Sequence, residues 1–116
     1  METTVVVIPT AGISDWDSFH SVFSDALGFP AYYGRNMDAW IDCMSYVDDP
    51  HAGMIAAPVA KGSMMTLRID DAADFQRRCP EQSRALIECT AFVNYRRIEA
   101  GREPVLTLLL GGWFKR

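Results

Sequence analysis

Three short aliphatic runs constrain this chain more than any other feature: Thr3 to Ile8, Met64 to Ile69 and Val105 to Leu110. The first lacks the polar alternation of a half-solvated antiparallel strand, and the other two are again largely apolar. Thr3 to Ile8 reads as a strand buried on both faces, the habit of parallel sheets, and the other two runs as its companion strands. Parallel strands need long crossovers, and the segments between these runs carry helical spacing. Ser14 is placed to cap a first helix, with Asp15 and Asp17 in its opening turn, an apolar stripe of Trp16, Phe19, Val22, Phe23, Ala26 and Leu27, and Gly28 as its stop. Asp70-Asp71 precedes a short helix, Ala72 to about Arg78, which Pro80 ends. A longer helix follows from Glu81 to Ala100, with Leu86, Ile87, Cys89, Ala91, Phe92, Val93, Tyr95 and Ile98 expected inward or half-inward and Gly101 as C-cap. The expected fold class is α/β, a three-stranded parallel β-sheet covered by about four helices, in a single domain over residues 1–116.

The second helical stretch differs from the rest. Phe29-Pro30-Ala31-Tyr32-Tyr33-Gly34-Arg35 reads as a loop, and Asn36 as the N-cap of a helix running to about Val47. At 100° per residue, Met37, Trp40, Ile41, Met44 and Val47 fall on one side of that helix. Asp38, Asp42, Ser45 and Tyr46 fall on the other. The two carboxylates are one turn apart, about 6 Å, and repel weakly unless a cation meets them. A solvated polar face is the ordinary reading of such a side, but no other surface in the sequence is as unusual.

Charge distribution agrees with a cationic partner. Residues 1–50 hold eight acids against Arg35 alone, a net −7, within a chain whose net charge is −4. Such a patch attracts cations and repels nucleic acid. Arginines in the last third alternate with glutamates and have Tyr95 as their one interleaved aromatic, so direct nucleic-acid binding is not expected. Cys43, Cys79 and Cys89 are odd in number and form no C-x-x-C, which suggests neither a disulfide framework nor a zinc site. No metal and no cofactor are expected. His20, on the edge of the first stripe, reads as a packed residue, and His51 lies in a loop. Nucleophile-elbow, Walker A, dinucleotide and H-E-x-x-H motifs are all missing, and no enzyme is expected. The start, Met1-Glu2-Thr3-Thr4, lacks a basic leader region and no apolar run reaches membrane-spanning length, so the expected compartment is the cytoplasm. Residues 48–63, with two prolines and two glycines, read as a long connection with a short extended piece around Met54 to Val59. Trp113 and Phe114 are expected to fold back onto the surface.

The run Phe29-Pro30-Ala31-Tyr32-Tyr33-Gly34-Arg35-Asn36-Met37-Asp38-Ala39-Trp40-Ile41-Asp42-Cys43 resembles, without a gap, the signature of the barstar family of intracellular ribonuclease inhibitors. The order of elements is similar as well. The resemblance implies a barstar-like fold and an immunity protein whose partner is a basic, barnase-like ribonuclease. It implies that Asp42 mimics a phosphate, with Asp38 as its acidic neighbour, and that Tyr32 lays its ring on a catalytic histidine. Asn36 and Ser45 would give hydrogen bonds at the rim, and Tyr33, Ala39 and Tyr46 complete the expected partner-binding set. The chain departs from the family pattern at Arg35, where an acid is expected, at Tyr46-Val47, and near Arg96 and Arg97, where a glutamate is expected. The alternative is a barstar-fold module that binds a cationic partner other than a nuclease.

Overall fold

The computed structural model describes residues 3–113. It contains β1 (Thr3–Val7), α1 (Trp16–Leu27), α2 (Met37–Met44), β2 (Met64–Ile69), α3 (Ala72–Arg78), α4 (Pro80–Glu99) and β3 (Leu106–Leu110). All three strands are parallel in the order β1-β2-β3, with Val5 beside Thr66 and Thr66 beside Thr107. The α/β class and the barstar-like element order are therefore as expected. No helix among the described residues is long and apolar enough to cross a membrane.

One expectation fails, and the topology explains it. Two successive crossovers of the usual right hand, both advancing the same way along the sheet, put every helix on one face. Met65, Leu67, Ile69 and Leu106 point to that face and are buried. The other face is open, leaving Val5 48%, Val7 46% and Leu109 51% exposed. The strands are thus not buried on both sides. A row of hydroxyls, Thr3 to Thr66 and Thr66 to Thr107, satisfies the middle of the open face.

Helix ends differ from expectation by small steps. Asp15, not Ser14, caps α1: its carboxylate accepts from the Ser18 N–H at 2.8 Å while Ser18 Oγ accepts from the Asp15 N–H. Asp71 gives α3 no side-chain cap; it accepts instead from the Thr10 hydroxyl, in a single 3₁₀ turn over Thr10–Gly12. Pro80 sits inside α4 at its first position, where a missing N–H costs nothing. Gly101 lies one residue beyond the C-cap, Ala100, at φ 78°.

The largest departure lies along α4. Leu86 and Val93 are buried as expected, with Cys89 half-buried, but Ile87, Ala91, Phe92, Tyr95 and Ile98 are exposed. Gln82, Ser83, Thr90 and Arg97 occupy the inner face in their place. Trp113 does not fold back, being 84% exposed, and Phe114 lies outside the described residues.

Candidate functional site

α2 is shorter than expected, ending at Met44 with Ser45 as C-cap. Asn36 does cap it: the Ala39 N–H donates to Asn36 Oδ1 at 2.8 Å. The helix buries Trp40, Ile41, Cys43 and Met44, and Val47 just beyond it, while Asp38 and Asp42 stay exposed. Every large apolar side chain of the helix except half-buried Met37 is committed to the core. The two acids thus stand on a short, firmly seated element. Burial, followed by the charge of Asp42, pushes the Cys43 thiol up to about 11, so this cysteine stays protonated and inert.

The loop before α2 rests on the aromatic residues of α1. Phe19, Phe23 and Trp40 form one aromatic chain, with centroids 4.7 and 5.8 Å apart and the Phe23–Trp40 contact edge to face. His20, Tyr33 and Phe29 form a second, at 5.5 and 4.6 Å. Tyr33 therefore turns inward: it is 9% exposed, and its hydroxyl shares a 2.6 Å hydrogen bond with His20 Nδ1. It supports the loop from below and is not part of the displayed surface. Its neighbour Tyr32 points outward at 73% exposure, touched at its hydroxyl by Met54 Sδ at 3.9 Å. His20 is the packed residue anticipated, and burial, followed by the positive charge of Arg35, lowers its pKa.

Arg35 is tethered instead of facing freely outward. Its Nη2 donates to the backbone oxygen and carboxylate of Asp17, both at 2.8 Å, and to Ser21 Oγ at 2.9 Å. It adopts φ 54°, a left-handed conformation unusual for a side-chain-bearing residue. This bend carries the chain from the Tyr32–Tyr33 loop to the Asn36 cap, and it silences one acid of α1 while leaving both acids of α2 free. Among the described residues no cation pairs with Asp38 or Asp42.

At the far end of α2, Ser45 spends its hydroxyl on Ile41 O at 2.6 Å, and Tyr46 is 39% exposed. Ala39 is half-buried at the base of the acidic face. Arg97 of α4 reaches across to this end. It donates to Ser45 O at 3.0 Å, to both oxygens of Asp48 at 3.1 and 2.8 Å, and to Glu103 O at 2.8 Å. The position where the resemblance led to a glutamate thus holds a structural clamp. Arg96 lies outside, its guanidinium 5.6 Å from the Phe92 ring.

The 48–63 connection has no strand; Ile55 and Val59 anchor it to the core instead. The Ala56 N–H donates to Leu27 O at 2.9 Å and the Val59 N–H to Val47 O at 2.8 Å. Gly28 is required at the first of these contacts, because it holds φ 66° and a Cβ there would collide with Ala56. An open cleft of about 980 Å³ lies between this connection and the α4–β3 turn. Sequence reasoning did not find Met54, His20 or Arg97 as supports of the display. Each acts on residues far along the chain, and no local pattern marks that.

Chemically, the displayed set is two unpaired carboxylates one turn apart, beside an exposed phenol ring. Such a set accepts charge-assisted hydrogen bonds from arginine and lysine and stacks on a flat group. Fold and site together define a small two-layer α/β scaffold that presents an acidic helix and an aromatic loop. The sequence profile described as Barstar (barnase inhibitor) matches residues 3–109, and the chain belongs to the barstar family. That description is of an inhibitor, not an enzyme. Among individual curated proteins no match was found.

Proposed function

We propose that this chain is an immunity protein that inhibits a basic, barnase-like ribonuclease by seating α2 and the preceding loop in the nuclease's active site. A ribonuclease site gathers arginine, lysine and histidine to hold a phosphodiester. Asp42 takes the place of the phosphate, Asp38 adds a second acceptor, and Tyr32 stacks on the catalytic imidazole. Asn36, Ala39, Ser45 and Tyr46 form the rim, with Tyr33 holding the loop from beneath. The observation that carries this reading is the coexistence of two unpaired acids and a 73%-exposed tyrosine with an otherwise buried helix. Because the buried side of α2 already fixes its backbone, binding has little backbone order left to establish. The excess of acids in the first half steers encounter with a basic partner.

The test is a titration of barnase-type ribonuclease activity on RNA with the purified chain. Wild-type protein abolishes cleavage at equimolar ratio. Asp42→Ala keeps its melting temperature and weakens binding by about 2 kcal/mol or more, some thirtyfold in Kd. Association of the wild type slows steeply with added salt. Equal inhibition by Asp42→Ala would remove the active-site plug. Binding to a basic protein without protection of RNA would instead support the module with a non-nuclease partner.

A further inference from the structure

The outer face of α4 is apolar where a solvated helix would be polar. Ile87, Ala91, Tyr95 and Ile98 are spaced i, i+4, i+8 and i+11, a single stripe along the helix. Ile87 is 48%, Tyr95 58% and Ile98 57% exposed, and Ala91 is exposed as well. Scattered surface hydrophobics need no explanation, but a continuous stripe on one helix marks an interaction surface. Exposed charges Arg84, Glu88 and Glu99 border it.

The stripe complements itself when reversed. In an antiparallel pair of identical helices related by a two-fold axis, residues equally far from the axis meet, and each flank faces the same flank of its mate. With the axis level with residue 92, Ile87 meets Ile98 of the second copy. Arg84 meets Glu99, so opposite charges pair at both ends. Glu88 meets the hydroxyl-bearing edge of Tyr95. Ala91, the one small residue of the stripe, leaves room for the ring of Tyr95 as the backbones approach. A parallel arrangement would set each charge against its own like.

The stripe also avoids the acidic site. Cys89, on the flank of α4 toward α2, is close enough to feel the charge of Asp38. Asn94 marks the opposite flank: its side chain accepts from the Val105 and Leu106 N–H groups, both at 3.0 Å, and donates to Leu106 O at 2.9 Å. Ile87 and Ile98 lie beyond Asn94, away from α2.

We propose that a second copy of this chain docks on the outer face of α4, pairing the two helices antiparallel and leaving both α2 surfaces free. A helix of 20 residues offers a contact smaller than a standard interface, so the dimer is reversible and concentration-dependent. The experiment measures mass by light scattering and sedimentation over a wide concentration series of the full chain. The mass rises from 13.0 kDa toward twice that value. Ile98→Asp lowers the association constant at least tenfold, with helical content and RNase inhibition unchanged. Arg84→Glu and Glu99→Arg each weaken the dimer, and the double variant Arg84→Glu/Glu99→Arg restores it. Three results would overturn the proposal: a wild type that stays monomeric to millimolar concentration, a dimer indifferent to Ile98→Asp, or a charge swap without rescue. A monomer that binds phosphatidylserine vesicles through Ile98 would do so too, assigning the stripe to a lipid surface.

Discussion

α2 and α4 lie side by side in the same layer and are built on opposite plans. α2 puts its hydrophobic residues inside and its acids outside, so its amphipathic pattern and its burial coincide. α4 buries Gln82, Ser83, Thr90 and Arg97 and exposes Ile87, Phe92, Tyr95 and Ile98. The difference teaches where order comes from. α2 is held chiefly by hydrophobic burial, with the Asn36 cap at one end and Arg97 on Ser45 O at the other, and has its charges left over for a partner. α4 is held partly by a buried ion pair and has its hydrophobic residues left over.

The comparison breaks first at Arg97. Its side chain is 9% exposed and that of Asp48 is 13% exposed, so removing the guanidinium strands a nearly buried carboxylate and the carbonyls of Ser45 and Glu103. Arg97→Ala is expected to cost about 3 kcal/mol or more in chemical denaturation. Arg97→Met in an Asp48→Leu background, which removes both charges together, should recover most of that loss. If Arg97→Ala matches wild type, α4 is held by its few inward apolar residues after all, and the contrast with α2 disappears.

That contrast also decides what the sequence made legible. Apolar runs with helical segments between them led directly to the parallel sheet, and Met64 to Ile69 was placed to the residue. The Asn36 cap and the split of α2 into a Trp40–Met44 side and an Asp38–Asp42 side were equally plain, because local periodicity and burial agree there. β1 is not buried on both faces, because crossover direction, not strand composition, decides which face receives helices. α4 departs from the usual inward turn of hydrophobic residues. Its orientation is set by Asn94 gripping β3 and Arg97 gripping the end of α2, contacts across 11 to 52 positions that no periodicity records. Tyr32 and Tyr33 look alike in the sequence. Only the packing of His20 from α1 tells the inward ring from the outward one.

A smaller effect sharpens the α2 side of the comparison. Asn36→Ala removes the acceptor for the Ala39 N–H and should cost about 1 kcal/mol of stability. Because the same residue begins the display, RNase inhibition should weaken along with it. Asn36→Asp keeps the cap and should retain stability, as measured by thermal melting. If Asn36→Ala melts with the wild type, the seat of α2 rests on the core side chains alone.

The smallest expected effect concerns pH. His20 sits between Trp16 and Tyr33, with Arg35 near enough to oppose a second positive charge, and its folded pKa lies below the ordinary 6.5. The unfolded chain therefore binds a proton at a pH where the folded chain does not. Stability from this group is complete above about 6.5 and declines as pH falls from there toward the lower folded pKa. Denaturation midpoints measured from pH 7.5 down to 5 should show that decline in the wild type, before most carboxylates titrate. His20→Gln keeps a polar partner for the Tyr33 hydroxyl but removes the titration, so its curve should be flatter over the same span. Parallel curves would mean that His20 takes up its proton without disturbing the Tyr33 contact. The loop that carries Tyr32 would then be held by Phe29, Met54 and the Arg35–Asp17 tether instead.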